Sequence, residues 1–252
     1  MSEQTPLLRL ENLCKDYGQG MILHHLNLDI EQGEFLTLLG PSGCGKTTTL
    51  RMIAGLESVT EGRVWLEGRD ITQLPPEKRP LNTVFQSYAL FPHMNVFQNI
   101  AYGLKVKGVK KAEQKERVEE ALRLVRLSGY EKRMPSQLSG GQRQKVYLAM
   151  ALAQDTDTVL MDEPTTYMDV RHQLEVMAMA RKLAGQGRAV VLVLHDLSLA
   201  LRTADEVAVL DRGRLQMVGT PEEVFTSGAL NSAFGVTVKR VQSEDGWQYY
   251  CR

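Results

Sequence analysis

Hydrophobic and polar residues alternate along the early part of the chain in the manner of half-buried strands. Leu26, Leu28 and Ile30 fall on one face of such a strand. Val64 and Leu66 repeat the alternation further along. Because a strand with one apolar face is typical of antiparallel sheets, this pattern predicts a small antiparallel sheet near the N-terminus.

Four other segments are apolar at nearly every position, which is typical of strands buried on both faces of a parallel sheet. We expect them to form a central, mostly parallel sheet. These segments are Phe35–Leu39, Thr158–Met161, Ala189–Leu194 and Val207–Leu210.

Helical periodicity separates these strands. Apolar residues recur at helical spacing in Lys115–Leu127 and in His172–Ala184. The pattern predicts an α/β fold in which a largely helical segment interrupts the strand series. The predicted boundaries are 1–87 and 156–225 for a discontinuous core, 88–155 for an inserted helical subdomain and 226–252 for a short C-terminal tail.

Composition narrows the function classes. Hydrophobic residues make up 43% of the chain, enough for a real core, so disordered and fibrous classes are excluded. Lys and Arg number 30 and are balanced by 30 Asp and Glu. A protein that binds nucleic acid through its phosphates normally carries a basic surplus. The balance argues against nucleic acid as a partner, although a local basic patch is compatible with a neutral total.

Cysteine usage and hydropathy indicate a soluble, reduced protein. Cys14, Cys44 and Cys251 have no paired spacing, which favours free thiols in a cytosolic protein. The N-terminus lacks the pattern of a secretory signal. The longest apolar runs fall far short of the roughly 18–20 residues that span a bilayer. We therefore expect the chain to reach a membrane only through a partner.

The strongest chemical signal is a GxxxxGK[ST] pattern that directly follows the buried strand Phe35–Leu39. Its glycines let backbone N–H groups point at phosphate oxygens, and the following helix adds its positive end. Lys46 is expected to reach the β- and γ-phosphates, and Thr47 to bind Mg²⁺. The predicted nucleotide-binding residues are Gly40, Pro41, Ser42, Gly43, Cys44, Gly45, Lys46, Thr47 and Thr48.

Cys44 lies inside this loop and allows two interpretations. A thiol at a helix N-terminus can be redox-sensitive, because thiolates are favoured there. It can also be an ordinary small loop side chain, which is the interpretation we prefer.

A second site element is a pair of carboxylates at the end of an apolar strand. Asp162 is placed to hold Mg²⁺, and Glu163 to polarise a water that attacks the γ-phosphate. The pair could instead cap the turn before Pro164, but a phosphate loop in the same chain favours the catalytic interpretation.

The segment Leu138–Gln142, with the sequence LSGGQ, precedes a predicted helix and so supplies a second backbone nest. One triphosphate needs one nest, which suggests that this second nest covers the nucleotide of another copy. With these motifs the chain resembles the ATP-binding subunits of ABC transporters over essentially residues 7–225. The resemblance implies a P-loop NTPase core with an N-terminal antiparallel β subdomain and an inserted α-helical subdomain.

The resemblance assigns further roles. It implies that Tyr17 stacks on adenine, although an ordinary surface tyrosine is the alternative. It implies that Gln86 contacts Mg²⁺ and the attacking water, that Asp169 closes the D-loop and that His195 contacts the γ-phosphate. The implied catalytic residues are Lys46, Gln86, Glu163 and His195, the metal ligands Thr47, Gln86 and Asp162, and the residues completing the site in trans Ser139, Gly140, Gly141 and Gln142.

The resemblance also implies partners. Two copies are expected to sandwich ATP and Mg²⁺, and to pass closure and opening to integral membrane permease subunits at the cytoplasmic face of the membrane. A solute-binding protein would act indirectly. The apolar segment 89–97 is the expected docking surface for a permease helix.

For the transported solute, different parts of the chain resemble two different groups of importers. The first half, including Gly40–Glu57, is similar to importers of polyamines, sugars and ferric ions, whose ATPases usually carry an extra regulatory domain. Glu163–Gln173 and His195–Ala200 look like the importers of ferric siderophores, haem and cobalamin. Because the chain stops at Arg252, we expect an importer of an iron chelate or cobalamin, with a polyamine or ferric-ion importer as the alternative.

Three other classes compete with this prediction. A non-transport ABC protein usually has two ATPase halves or a long coiled-coil insertion, neither of which is visible in the sequence. A stand-alone P-loop kinase or GTPase has no use for LSGGQ. An exporter ATPase shares these motifs, so the direction of transport stays open.

Overall fold

The computed structural model of the chain describes residues 5–84, 90–166, 168–244 and 246–252. Its strands are β1 (Leu8–Asp16), β2 (Met21–Ile30), β3 (Phe35–Leu39), β4 (Glu61–Leu66), β5 (Arg69–Asp70), β6 (Asn82–Val84), β7 (Thr158–Asp162), β8 (Ala189–Val193), β9 (Glu206–Asp211), β10 (Arg214–Gly219), β11 (Val238–Ser243) and β12 (Gly246–Cys251). Its α-helices are α1 (Lys46–Ala54), α2 (Val96–Val106), α3 (Lys111–Leu124), α4 (Gly140–Ala153), α5 (Val170–Gly185), α6 (Leu197–Thr203), α7 (Pro221–Ser227) and α8 (Ala229–Phe234).

The early alternating segments form the predicted antiparallel sheet, in the order β2-β1-β4-β5. Leu10 on β1 pairs with Leu28 on one side and with Val64 on the other. All three side chains are buried, so the apolar face of each strand points into the core. The expectation of an N-terminal antiparallel sheet is confirmed.

The continuous apolar segments form a six-stranded sheet in the order β10-β9-β3-β8-β7-β6. All neighbouring strands are parallel except β9 and β10, so the predicted mostly parallel sheet is confirmed. Successive residues of β8 enter different cores: Leu192 packs into one cluster, whereas Val191 and Val193 pack into the other. The sheet therefore separates two layers of the molecule, which explains why its strands show no alternation.

The helical part comprises α2, α3 and α4, which pack on one another. Helix α3 runs over Lys111–Leu124, about one turn earlier than the predicted Lys115–Leu127. It ends there because Arg126 adopts a left-handed backbone with φ 58°. Helix α5 starts at Val170, because the Asp169 side chain caps it. None of the helices in the described ranges is long and apolar enough to cross a membrane.

The parallel pairing of β3, β8 and β7 positions the candidate site. Asp162 at the end of β7 pairs with Val193 at the end of β8. Leu38 near the end of β3 pairs with the same Val193. The carboxyl ends of three neighbouring strands thus lie at one edge of the sheet, where ligands of open α/β sheets bind.

A buried guanidinium fastens the far end of α1. Arg79 donates from Nη1 to the carbonyl oxygens of Met52 and Ile53, each at 2.7 Å, at the C-terminal end of the helix. Its other groups donate to the carbonyls of Leu74 and Thr72. The burial that these contacts impose lowers the pKa of Arg79 below its usual value. The helix that starts at the phosphate loop is therefore held at its other end by one side chain.

Arg79→Lys should destabilise the fold by about 2–4 kcal/mol, because a single ammonium cannot reach four carbonyls and leaves buried acceptors unpaired. The free energy of unfolding from urea titration measures the effect. The exposed Arg69→Lys serves as the matched control and should change stability little. An Arg79→Lys protein as stable as the control would contradict this role for the guanidinium.

Candidate functional site

The phosphate loop connects β3 to α1 over Gly40–Gly45. Gly40 has φ 155°, and a Cβ atom there would lie 2.1 Å from the carbonyl oxygen of Leu210. Gly45 has φ 105° and immediately precedes α1. Both positions exclude other residues, since the backbone conformation and the close contact leave no room for a side chain.

The N-terminus of α1 differs from that of most helices here. Gly45 offers it no side-chain cap, and its first turn carries no acidic residue. In contrast, side chains cap α2, α4, α5, α6 and α7. Ser42 and Gly43, on the loop before this helix end, are exposed. Uncapped N–H groups beside an exposed loop are suited to a phosphate group.

Lys46 is buried within this loop. Its Nζ donates to the carbonyl oxygen of Gly40 at 2.7 Å and to that of Pro41 at 2.9 Å. A buried ammonium needs acceptors, and these two carbonyls supply them. The ammonium therefore lies among the residues predicted to hold phosphate, bound to the loop itself.

Thr47 connects the phosphate loop to the carboxylate pair. Its Oγ1 donates to Oδ1 of Asp162 at 3.0 Å. Burial raises the pKa of the Asp162 carboxyl, and the hydrogen bond from Thr47 lowers it. A hydroxyl and a buried carboxylate in contact are oxygen ligands of the kind Mg²⁺ takes alongside nucleotide phosphates. The described residues hold no cluster of three or more His, Cys, Asp or Glu that would bind a metal alone.

Glu163 meets His195 across the ends of β7 and β8. Oε1 of Glu163 lies 2.5 Å from Nε2 of His195. Glu163 has a left-handed backbone with φ 49°, and its N–H donates to the carbonyl of Val193. This turn directs the carboxylate toward the neighbouring strand. The left-handed backbone conformation is unfavourable for a residue with a side chain, so it is held by the surrounding contacts. The structure thus brings Glu163 and His195 into contact, two of the four side chains to which the resemblance assigns a catalytic role.

The LSGGQ segment forms the start of α4 on the helical part. Ser139 and Gln142 cap each other, and Gln142 also donates to the hydroxyl of Tyr130. Gly140 and Gly141 occupy the first helical turn, so they form a helix N-terminus rather than a left-handed loop. A Cβ at Gly140 would meet nothing within 4 Å. Ser139 and Gly140 are exposed, whereas Gly141 and Gln142 are half-buried and Leu138 is buried.

Asp169 lies beside this segment at the start of α5. Its Oδ1 accepts from the backbone N–H of His172, and both its carboxylate oxygens lie 2.8 Å from Nδ1 of His172. The His172 ring would lie 3.6 Å from a Cβ at Gly141. His172 thus lies between Asp169 of the D-loop and Gly141 of the LSGGQ segment. The hydrogen bonds of the Asp169 side chain are made to His172 of α5.

Two side chains that contact the site, Gln144 and Thr166, were not predicted from the sequence. Gln144 is buried in α4 and donates to the carbonyl of Pro164 at 2.5 Å, which ties the LSGGQ helix to the turn after Glu163. Thr166 donates from Oγ1 to Oε2 of Glu163 at 3.3 Å. A polar residue within the buried face of α4 was a signal for Gln144, whereas no sequence signal marked Thr166.

Tyr17 follows the end of β1 and is 51% exposed. The Nζ of Lys15 lies 4.7 Å from the centre of its ring. An exposed aromatic ring of this kind suits stacking on a base. Gln86, the predicted Q-loop residue, and Tyr167 of the D-loop lie outside the described residues.

Cys44 is buried and close to Lys46, with its Sγ 3.8 Å from Nζ. Burial raises the pKa of the Cys44 thiol above its usual value, against the opposing effect of the lysine charge. A thiol that stays protonated is a poor nucleophile. The structure therefore supports the interpretation of Cys44 as an ordinary small loop side chain.

Comparison with known families identifies this architecture. The sequence profile of the ABC transporter family matches residues 23–166. The chain therefore belongs to the ABC transporter family and is an ATP-binding domain of that family.

Two similar curated relatives carry the same name. The chain is 48% identical over 224 residues to the spermidine/putrescine import ATP-binding protein PotA of Acetivibrio thermocellus, covering 88% of this chain and 64% of that protein. It is 49% identical over 226 residues to PotA of Hahella chejuensis, covering 88% and 61%. The chain spans about three fifths of the length of the curated relatives it matches.

Solved structures share the fold over most of the chain. A dimeric ATP-binding cassette in a post-hydrolysis state, bound to ADP and Pi, is 31% identical with a TM-score of 0.76, covering 85% of this chain and 98% of that one. The cbiO1 protein of Clostridium perfringens, part of an ABC transporter complex, is 25% identical with a TM-score of 0.80, covering 91% and 94%.

These relatives bear on the predicted solute. Their names favour the polyamine alternative over the preferred iron-chelate or cobalamin importer. They agree with the similarity of the first half of the chain, and neither relative is named for iron or cobalamin transport.

Native protein should present one rapidly reactive thiol to Ellman's reagent, because Cys251 is exposed whereas Cys14 and Cys44 are buried. Cys251→Ser should remove the fast phase and leave only slow labelling. Full reaction after denaturation is the control. Fast labelling of Cys44 in the native Cys251→Ser protein would restore the redox interpretation.

Proposed function

We propose that this chain hydrolyses ATP and thereby powers solute import through membrane permease subunits. One arrangement carries the proposal: Thr47 contacts Asp162 on one side of the strand end, while the adjacent Glu163 contacts His195 on the other. The residues that would bind phosphate, hold the metal and activate water would therefore share one continuous set of contacts.

The loop residues Gly40–Thr48 would bind the triphosphate. The uncapped N-terminus of α1 and the glycine backbone supply N–H donors, and Lys46 supplies positive charge. Its ammonium would exchange the two loop carbonyls for phosphate oxygens. Tyr17 would stack on adenine, since its half-exposed ring offers a flat face for a base.

Glu163 would act as the general base. Its carboxylate accepts a proton from water as the water oxygen bonds to the γ-phosphorus and the bond to the β–γ bridging oxygen breaks. His195 would hold that carboxylate and contact the γ-phosphate. Gln86 is assigned a place beside the attacking water by family resemblance.

Thr47, Asp162 and Gln86 would hold Mg²⁺, whose contribution when bound is to neutralise charge developing on the phosphates. The contact between the Thr47 hydroxyl and the buried Asp162 carboxylate fits this ion. The positive charge of Mg²⁺ would lower the pKa of Asp162 and favour its ionised form, whereas burial raises that pKa.

A second copy would complete each site. Ser139–Gln142, of which Ser139 and Gly140 are exposed, and the exposed Asp169 would cover a nucleotide held by the partner's phosphate loop. The similar solved cassette is described as a dimer. Closure around ATP and opening after hydrolysis would then move the permease subunits at the cytoplasmic face of the membrane.

The domain boundaries of this proposal follow the sequence. Residues 1–87 and 156–225 would form the catalytic core, 88–155 the moving helical subdomain and 226–252 a C-terminal segment. Helices α2, α3 and α4, which pack together, lie within residues 88–155. The solute would be a polyamine, in keeping with the names of the curated relatives.

Glu163→Gln should lower steady ATP hydrolysis by about 10²–10³-fold, because the amide cannot accept the proton of the attacking water. ATP binding should persist, since the phosphate loop is unchanged. Phosphate release measures the first effect and binding of a fluorescent ATP analogue the second. The exposed Glu61→Gln is the matched control, and near-normal turnover in Glu163→Gln would refute the assigned base.

Polyamine should stimulate ATP turnover several-fold in proteoliposomes that contain this chain with its permease and solute-binding subunits. Spermidine and putrescine are compared with a ferric siderophore, haem and cobalamin at equal concentration. Stimulation by an iron chelate or cobalamin alone would overturn the proposed solute while leaving the ATPase proposal intact.

A further inference from the structure

A groove of about 1020 Å³ lies between the C-terminal end of α3 and the outer face of α5, away from the phosphate loop. We call it the α3–α5 groove. Its apolar floor is formed by Leu124, Val170, Leu174, Ala178 and Met179. Its charged rim is formed by Arg123, Arg126, Lys145, Arg171, Glu175 and Lys182.

Part of the floor is an apolar stripe on α5 that the other described residues leave exposed. Val170, Leu174 and Ala178 recur every four residues along α5, so they lie on one face of the helix. Val170 is 71% exposed and Leu174 50% exposed. Large apolar side chains aligned at helical spacing on an exposed face are the usual form of a helix-binding surface.

The rim carries a positive excess although the chain as a whole is neutral. Lys145 pairs closely with Glu175, while Arg126 and Arg171 lie 3.6 and 3.5 Å from the same carboxylate. Three cations therefore share one anion, whose pKa is lowered chiefly by the hydrogen bond from Lys145. The Arg126 and Arg171 side chains are largely exposed and keep charge available to a ligand.

We infer that the α3–α5 groove binds an acidic amphipathic helix of a partner protein. Its apolar residues would contact the Val170–Leu174–Ala178 stripe, and its carboxylates would meet Arg126 and Arg171. The apolar floor favours a peptide over nucleic acid, because phosphates gain nothing from contact with leucine and valine. The stripe runs over the nine residues from Val170 to Ala178, a rise of about 12 Å, which corresponds to two to three turns of the bound segment.

A labelled model peptide tests this inference on the full chain. The probe is a 16-residue helical peptide, about 24 Å long, with leucines on one face and glutamates on its flanks. Its control is the same peptide with every glutamate replaced by lysine. Fluorescence anisotropy should show at least about tenfold tighter binding of the acidic peptide, with a difference that shrinks at high salt.

Variants locate the binding to the groove. Leu174→Glu should weaken binding of the acidic peptide about tenfold or more, whereas Val241→Glu, an exposed apolar residue on the C-terminal hairpin, should not. The double variant Arg126→Glu, Arg171→Glu should reverse the preference toward the basic peptide. This reversal requires a folded protein, so it is distinguishable from loss of structure.

Three outcomes would overturn the inference. Equal binding of the acidic and basic peptides would remove its electrostatic basis. Self-association of the chain that Leu174→Glu abolishes would make a second copy the occupant. Binding of a single-stranded RNA oligonucleotide that Arg126→Glu weakens and Leu174→Glu does not would make the rim a nucleic-acid surface.

Discussion

The parallel pairing of β3, β8 and β7 is the constraint on which the rest of the site depends. Each strand ends at the same edge of the sheet, and each is followed by a residue of the candidate site. The phosphate loop follows β3, Glu163 follows β7 and His195 lies two residues beyond β8. Their proximity follows from backbone hydrogen bonds between strands of the core, so the sheet itself positions the site.

Local geometry then refines what the sheet brings together. Gly40 passes so close to the Leu210 carbonyl that a methyl group cannot fit. Glu163 accepts an unfavourable left-handed backbone, while its N–H bonds to Val193 and its carboxylate contacts His195 and Thr166. Strain at one residue is thus maintained by several contacts, an arrangement that recurs at functional sites.

The sequence predicted the elements whose signals are local. A glycine pattern after an apolar strand located the phosphate loop, and continuous apolar segments located the central strands. Strand β6 was not predicted because it has only three residues. The contacts of Arg79 and Gln144 join segments distant in the chain. The helical pattern of α4 could mark Gln144 as a buried polar residue, but no local pattern reveals the partner of either side chain. The preferred solute was predicted from the D-loop region and the C-terminal segment, whereas the names of the similar relatives agree with the alternative drawn from the first half of the chain.

The Arg79 contacts have an electrostatic consequence for α1. A helix carries partial negative charge on its last carbonyl groups as well as partial positive charge on its first N–H groups. Arg79 places a full positive charge against the Met52 and Ile53 carbonyls, at the negative pole. The helix dipole is therefore compensated at one pole by the protein itself, and the opposite pole is left for a ligand of negative charge. Helix α1 would therefore lie between two charged groups when nucleotide is bound: the Arg79 guanidinium at its C-terminus, which belongs to the fold, and a phosphate at its N-terminus.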